Sequence, residues 1–179
     1  MIIDKFNQTV YDQFKKQLNS IEKDNIDGLI IDLRNNTGGY LNAASKMAEL
    51  FLKDGKIIYS LNEKSGNKIY EDKTMESRSY PISVLVNGNT ASASEILAAA
   101  LRDSYGAKLV GSKTYGKGKV QKTSKLSNGT MYKYTSAKWL TPDGECIDEV
   151  GLIPDLEVNY LDDLTVDLVY EKALEDISK

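Results

Sequence analysis

The stretch Ile82-Ser-Val-Leu-Val-Asn-Gly-Asn-Thr-Ala-Ser-Ala-Ser-Glu95 decides how the chain is read. Ile82 to Val86 is a short apolar run, the pattern of a strand covered on both faces. Asn87-Gly88 is a turn signal. A helix is expected from about Ala93 to Ser104. An upstream segment repeats the order. Gly28-Leu-Ile-Ile-Asp-Leu33 reads as a second buried strand, and Arg34-Asn-Asn-Thr-Gly-Gly39 as a turn. Leu41 to Leu52 then reads as a helix with Ala44, Met47, Ala48 and Phe51 inward. Two strand–turn–helix units of this kind imply an α/β domain. In such sheets sites gather in the loops at the carboxyl ends of strands, so Arg34–Gly39 and Asn87–Ser92 are the loops to watch.

The flanking sequence fills in the rest. Ile2 and Ile3 resemble the tail of a strand. Thr9 is placed to cap a helix from about Val10 to Lys23, with Tyr11, Phe14, Leu18 and Ile21 on one stripe. Strands are expected at Lys56–Ser60, Lys68–Glu71 and Lys108–Gly111. Lys119–Leu126 and Thr130–Ala137 flank Ser127-Asn-Gly129, a hairpin signal. An acidic helix is expected at about 161–177. With no repeat, no Pro/Ser-rich linker and three prolines, residues 1–179 read as one domain.

Composition removes whole classes of chemistry. The chain has 179 residues, a formal charge of −3, one Cys and no His. Without His there is no Ser-His-Asp triad, no Cys-His dyad and no His-ligated zinc. One Cys excludes an internal disulfide. The net charge argues against a nucleic-acid binder. No window approaches the length of a membrane span, and no signal peptide is legible at the N-terminus. Charge is nevertheless segregated. Lys108 to Lys138 carries eight lysines and no Asp or Glu, whereas the chain beyond Asp143 is acidic. The basic hairpin and acidic tail are expected to face solvent or to pack near each other. The alternative is a local positive field around a site.

Three constellations could carry reactions without His. Asn87 to Glu95 sets a hydroxyl, Ser92, at a strand–helix junction, where the first helical N–H groups lack partners and can hold an oxyanion. Ser92-Ala-Ser-Glu95 also fits a capping box, a role compatible with the first. Gly111-Ser-Lys-Thr-Tyr-Gly-Lys-Gly118 nearly matches a phosphate loop. However, Gly118 stands where the magnesium-binding hydroxyl belongs, and a strand follows instead of a helix. The other use of Gly-Lys-Gly is to bring Lys117 close to a second backbone, where a lysine can serve as general base for Ser92. Asn35-Asn-Thr-Gly-Gly39 reads as a tight turn or as a second oxyanion donor. Cys146 has no base beside it in sequence. Tyr132, Tyr134 and Trp139 read as core or groove wall.

Four motifs occur in order: Asp32-Leu-Arg-Asn-Asn-Thr-Gly-Gly39, Thr90-Ala-Ser-Ala-Ser-Glu-Ile96, Thr114-Tyr-Gly-Lys-Gly-Lys-Val-Gln121, and Thr141-Pro-Asp-Gly144 with Gly151-Leu-Ile-Pro-Asp155. Together they resemble the carboxyl-terminal processing (tail-specific) proteases, a Ser/Lys-dyad serine peptidase family, over about residues 1–158. The resemblance implies a ClpP/crotonase-like β-β-α superhelix and endopeptidase activity on protein or peptide substrates, with no metal and no cofactor. It implies Ser92 as nucleophile, Lys117 as general base, and Gln121 as the residue that orients the lysine. The oxyanion donors would be the N–H of Ala93 and that of Gly38 or Gly39. Asp103 falls at an acidic position of the family, where anchoring Arg102 is the simpler role. Thr37 replaces the family's usual proline. Family members usually carry a signal sequence and a PDZ domain upstream. Neither is legible here, so a PDZ partner would belong to a longer form. The implied compartment is extracytoplasmic or periplasmic. The same fold also admits a non-catalytic peptide- or lipid-binding module, or a resting domain awaiting its PDZ partner.

Overall fold

The computed structural model describes residues 1–158 and 166–179. Its centre is a four-stranded parallel sheet in the order β1-β4-β5-β8. These strands are Leu29–Asp32 (β1), Ile82–Val86 (β4), Lys108–Gly111 (β5) and Leu156–Glu157 (β8). Alternation sorts β4 between two layers. Ile82, Val84 and Val86 enter the main core, and Leu85 enters a smaller one with Val110, Val169 and Ala173. The main core is closed by α1 (Val10–Ile21), α2 (Leu41–Glu49) and α3 (Ala93–Ala99). The smaller is closed by α4 (Leu168–Ile177). Helices on both faces explain why the strand sequences are apolar throughout rather than alternating.

A second, antiparallel sheet in the order β3-β2-β7-β6 leans on α3. It contains Ile57–Glu63 (β2), Gly66–Glu71 (β3), Lys119–Lys125 (β6) and Met131–Leu140 (β7). Leu61 pairs with Trp139, both buried, and Val120 pairs with the buried Ala137. Past these pairs the β6–β7 hairpin leaves the body, and Gln121 to Thr135 is exposed except at Ser124.

The α/β reading and the order of elements hold. Several boundaries move, for physical reasons. β7 continues to Leu140 because pairing with β2 extends it past Ala137. The helix after Ser92 is α-helical only to Ala99, then widens into a π-helical turn, Ala100–Tyr105, that ends at Gly106 with φ +94°. Thr9 stands at the N-cap of α1 without capping it, because its N–H and hydroxyl both donate to Asn7 Oδ1. β1 is covered on one face only in part, with Ile30 half-buried. The acidic helix expected from about 161 starts at Leu168. Asp167 is its cap, accepting from Tyr170 N at 3.1 Å, and 159–165 lie outside the described residues. Ile2 and Ile3 do run beside β1, with Ile3 N donating to Asp32 O at 3.0 Å.

Because β1, β4 and β5 are parallel neighbours, their carboxyl ends lie at one edge. The loops that leave them, 33–40, 87–92 and 112–118, are therefore side by side. Two of the three are the loops the sequence singles out. The third carries Lys117.

Candidate active site

Ser92 occupies the N-cap of α3 with φ +60° and ψ −118°. Residues with a Cβ rarely adopt this backbone, which costs about 1–3 kcal/mol and persists only when the surroundings enforce it. The enforcement is visible on both sides. Ala91 N donates to Asn36 O at 3.0 Å, and Ser94 Oγ donates to the same oxygen at 2.9 Å. Thr90 Oγ1 donates to Leu33 O at 2.9 Å. The capping box is present, with Ser92 N donating to Glu95 Oε2 at 2.7 Å.

Glu95 has a larger part than a cap. It is fully buried. Besides Ser92 N, its carboxylate accepts from Thr114 Oγ1 at 2.6 Å, Gly116 N at 2.7 Å and Lys117 N at 3.0 Å. Every partner is a donor, so the carboxylate acts purely as acceptor. One oxygen, Oε2, takes both the Ser92 and the Lys117 amide. Those two backbones can therefore stand no further apart than two hydrogen bonds laid end to end.

The lysine loop is held from its other side as well. Trp139 Nε1 donates to Lys117 O at 2.9 Å, and Trp139 N donates to Gly118 O at 3.0 Å. The two glycines let the loop press on residues 147–151. A Cβ on Gly116 would lie 2.7 Å from Gly151 N, and one on Gly118 2.7 Å from Asp148 Cβ. The two glycines of Gly-Lys-Gly make the close approach to this segment, while Lys117 between them is exposed. Thr114 Oγ1, accepting from Leu152 N at 2.7 Å, completes the joint. The fourth sequence motif thus supports the third, and the third reaches the second through Glu95.

The first motif supplies the opposite wall. A Cβ on Gly38 would fall 2.7 Å from Ala91 O, 2.9 Å from Ser92 Cβ and 3.0 Å from Ala93 N. Only a residue without a side chain fits there. Ala93 is the first residue of α3, so its N–H has no intrahelical partner. Gly38 N–H is engaged, donating to Asn36 Oδ1 at 2.9 Å. Gly39 is bridged to Phe6, whose N–H and carbonyl bond its neighbours Gly38 and Tyr40. In that parallel pattern the N–H of Gly39 itself is directed away from Phe6. Asn35 Oδ1 accepts from Asn87 Nδ2 and Asn89 Nδ2, each at 3.0 Å, and locks the first two loops together. At the rim Asp32 holds the Arg34 guanidinium, whose pKa is raised mainly by that bond and further by Asp167.

Ser92, Ala93 and Gly38 are brought together, and the Lys117 backbone is tied to them. The Lys117 side chain is exposed, and no hydrogen bond joins it to the Ser92 hydroxyl. Gln121 lies on β6 opposite Thr135, beyond a bulge at Val120/Gln121, and makes no hydrogen bond with Lys117. Asp103 bonds Arg102 Nε at 2.6 Å and lines a separate cleft with Cys146 and Leu152. Glu95 and Trp139 are the positioning groups that the sequence did not assign. A recess of about 350 Å³ opens over Lys117, bounded by Thr37, Asn89, Ala91 and Tyr115. A larger cleft of about 610 Å³ lies beside Ile82 and Lys108, the first residues of β4 and β5. It includes none of the four motifs. Among the described residues no three Asp, Glu or Cys cluster as metal ligands, and no helix is long and apolar enough to cross a membrane.

Known proteins are similar to this chain in sequence and fold. A protein of Staphylococcus aureus (strain N315) named "Probable CtpA-like serine protease" is 40% identical over 160 residues, covering 88% of this chain and 32% of its own length. Its counterpart in Staphylococcus epidermidis is 39% identical over 162 residues, covering 89% and 33%. The solved photosystem II D1 C-terminal processing protease superposes with a TM-score of 0.82 at 33% identity, over 88% of this chain and 41% of that one. A peptidase structure from Parabacteroides merdae, at 19% identity and TM-score 0.80, shares the fold. These likenesses are to serine-type peptidases of the C-terminal-processing class. Residues 1–158 match the model of peptidase family S41, and the chain belongs to that family. It spans about a third of the length of the curated relatives it matches.

Proposed function

We propose that this domain is the catalytic unit of a serine endopeptidase that cleaves protein substrates, near their C-termini, through a Ser92/Lys117 dyad. The observation that carries the reading is the single Glu95 oxygen shared by the Ser92 and Lys117 amides. It sets the two functional residues from different loops side by side. The neutral Lys117 amine takes the Ser92 hydroxyl proton as Oγ bonds to the scissile carbonyl carbon. The carbonyl electron pair becomes an oxyanion, held by the N–H of Ala93 and, with Gly38 already bonded to Asn36, that of Gly39. Lys117 returns the proton to the leaving amine as the C–N bond breaks. Water, deprotonated by the same amine, then clears the acyl-enzyme. With its main chain anchored, Lys117 is assigned to close on Ser92 by rotation of its side-chain torsions. Gln121, on the strand that leaves the lysine loop, is assigned to orient the amine in the closed form.

The test is turnover of an unstructured peptide together with labelling by a serine-directed phosphonate. Wild type should cleave and be labelled at Ser92. Ser92→Ala should lose both. Lys117→Ala and Lys117→Arg should lose turnover while keeping a native circular dichroism spectrum, since a guanidinium does not give up its proton. An active Lys117→Arg protein would remove Lys117 from the role of base. A stably folded wild type that neither labels nor cleaves would favour a binding module on the same scaffold.

A further inference from the structure

The hairpin that follows the lysine loop is not absorbed by the catalytic reading. β6 is an edge strand, with β7 on one side and no strand on the other among the described residues. It begins two residues after Lys117 and runs seven residues, about 24 Å at the usual strand rise. An unpaired edge of that length offers a ladder of N–H and carbonyl groups to an extended peptide. Its charge is one-sided. Lys119 and Lys138, at the base, are neutralised by Glu149 at 2.7 Å and Asp148 at 2.9 Å. Lys122, Lys125 and Lys133, further out, enter no ion pair among the described residues. Register places Lys122 and Tyr134 on one face, and Thr123 with Lys133 and Lys125 with Met131 on the other. Both faces are therefore basic along the same edge. Tyr132 and Tyr134 are exposed and stacked, with ring centroids 5.5 Å apart. Lys113 and Lys117, both exposed, extend the positive field to the recess over Lys117, bounded by Ala91, the residue before Ser92.

We infer that the β6 edge is a substrate-docking rail that selects extended, acidic peptide segments and leads them to Ser92. The inference rests on the peptidase reading and adds the class of substrate. The rail supplies backbone pairing, which any sequence can use, and a charge field, which a segment rich in Asp and Glu exploits.

The experiment compares three labelled peptides of equal length, differing only in carrying Glu, Ser or Lys at four positions. Binding is read by fluorescence anisotropy on the Ser92→Ala protein, and kcat/KM on wild type. At 50 mM salt the acidic peptide should bind about tenfold tighter than the Ser peptide, and the advantage should collapse at 1 M salt, where the screening length falls to about 3 Å. The triple variant Lys122→Glu/Lys125→Glu/Lys133→Glu should reverse the order in favour of the Lys peptide. N-methylation of alternate amides should weaken the acidic peptide without changing its charge. Equal binding of the acidic and Ser peptides, with Ser92-dependent cleavage of both, would overturn the rail and leave the peptidase reading intact. Tight acidic binding without cleavage would keep the rail and overturn the peptidase reading. A single-stranded RNA of equal charge that bound as tightly as the acidic peptide would show a general polyanion surface and overturn the assignment to peptide. Should the triple variant misfold, the salt and N-methyl results on the native surface still decide.

Discussion

Replacing Glu95 by Gln changes one oxygen to an amide nitrogen and nothing else in shape. The native carboxylate takes four donors at 2.6–3.0 Å. If the nitrogen replaces Oε2, two of those donors lose their acceptor, and if it replaces Oε1, one does. At Oε2 both are backbone N–H groups, of Ser92 and Lys117, which cannot reverse. At Oε1 the Gly116 N–H is stranded, while the Thr114 hydroxyl can turn. Hydrogen bonds to a charged group contribute about 1.5–3 kcal/mol each, and the site is sealed from water. One or two lost bonds amount to about 1.5–6 kcal/mol, which in a domain of this size lowers Tm by about 3–24 °C. The released loops carry Ser92 and Lys117, the proposed nucleophile and base. A displacement of 1 Å costs about a hundredfold in rate, so kcat should fall by that order while KM changes little. Phosphonate labelling of Ser92 should slow in parallel, and Glu95→Asp, one methylene short, should lie between. The assays are thermal unfolding, peptide turnover and the labelling rate on the same samples. A Glu95→Gln protein with native Tm and native kcat would refute the idea that this carboxylate couples the two loops.

Two further outcomes test the surroundings. Trp139→Phe removes the indole N–H from Lys117 O and leaves that carbonyl without its partner. It should cost about 1–3 kcal/mol in urea unfolding and lower kcat more than it raises KM. Acid should destabilise the fold through Glu22, whose pKa is held below the ordinary 4.5 chiefly by hydrogen bonds from Arg78, with Tyr80 assisting against burial. A carboxylate with a depressed folded pKa contributes stability above its unfolded value and loses it as pH falls below about 4.5. Arg78→Ala should therefore flatten the pH dependence of unfolding below that value, and an unchanged slope would assign the acid sensitivity elsewhere.

What the sequence made legible follows the range of each interaction. The strand–turn–helix units around β1 and β4 are local, and both site loops were placed by their apolar runs and turn residues. Motif order pointed to Ser92, Ala93, Gly38 and Lys117, and the three-residue spacing to Glu95 revealed the cap. Three of Glu95's four partners lie 19–22 residues away across a strand, and no periodicity encodes that. Trp139 reads as an ordinary core aromatic until β7 is seen to turn its N–H toward Lys117. β8 is two residues long and pairs in parallel with β5, a contact with no turn to announce it. Thr9 matches a cap by residue type, but its own N–H and hydroxyl donate to Asn7 Oδ1, two residues before it.

The buttress formed by Ile147 to Leu152 gives the molecule a sequence in time. During synthesis Ser92 and Lys117 leave the ribosome before the stretch that Gly116 and Gly118 rest upon. Until that stretch emerges and folds back, Lys117 has no wall behind it and Thr114 lacks its bond from Leu152. The loop of the third motif is therefore not fixed until the fourth has been made and has folded back against it.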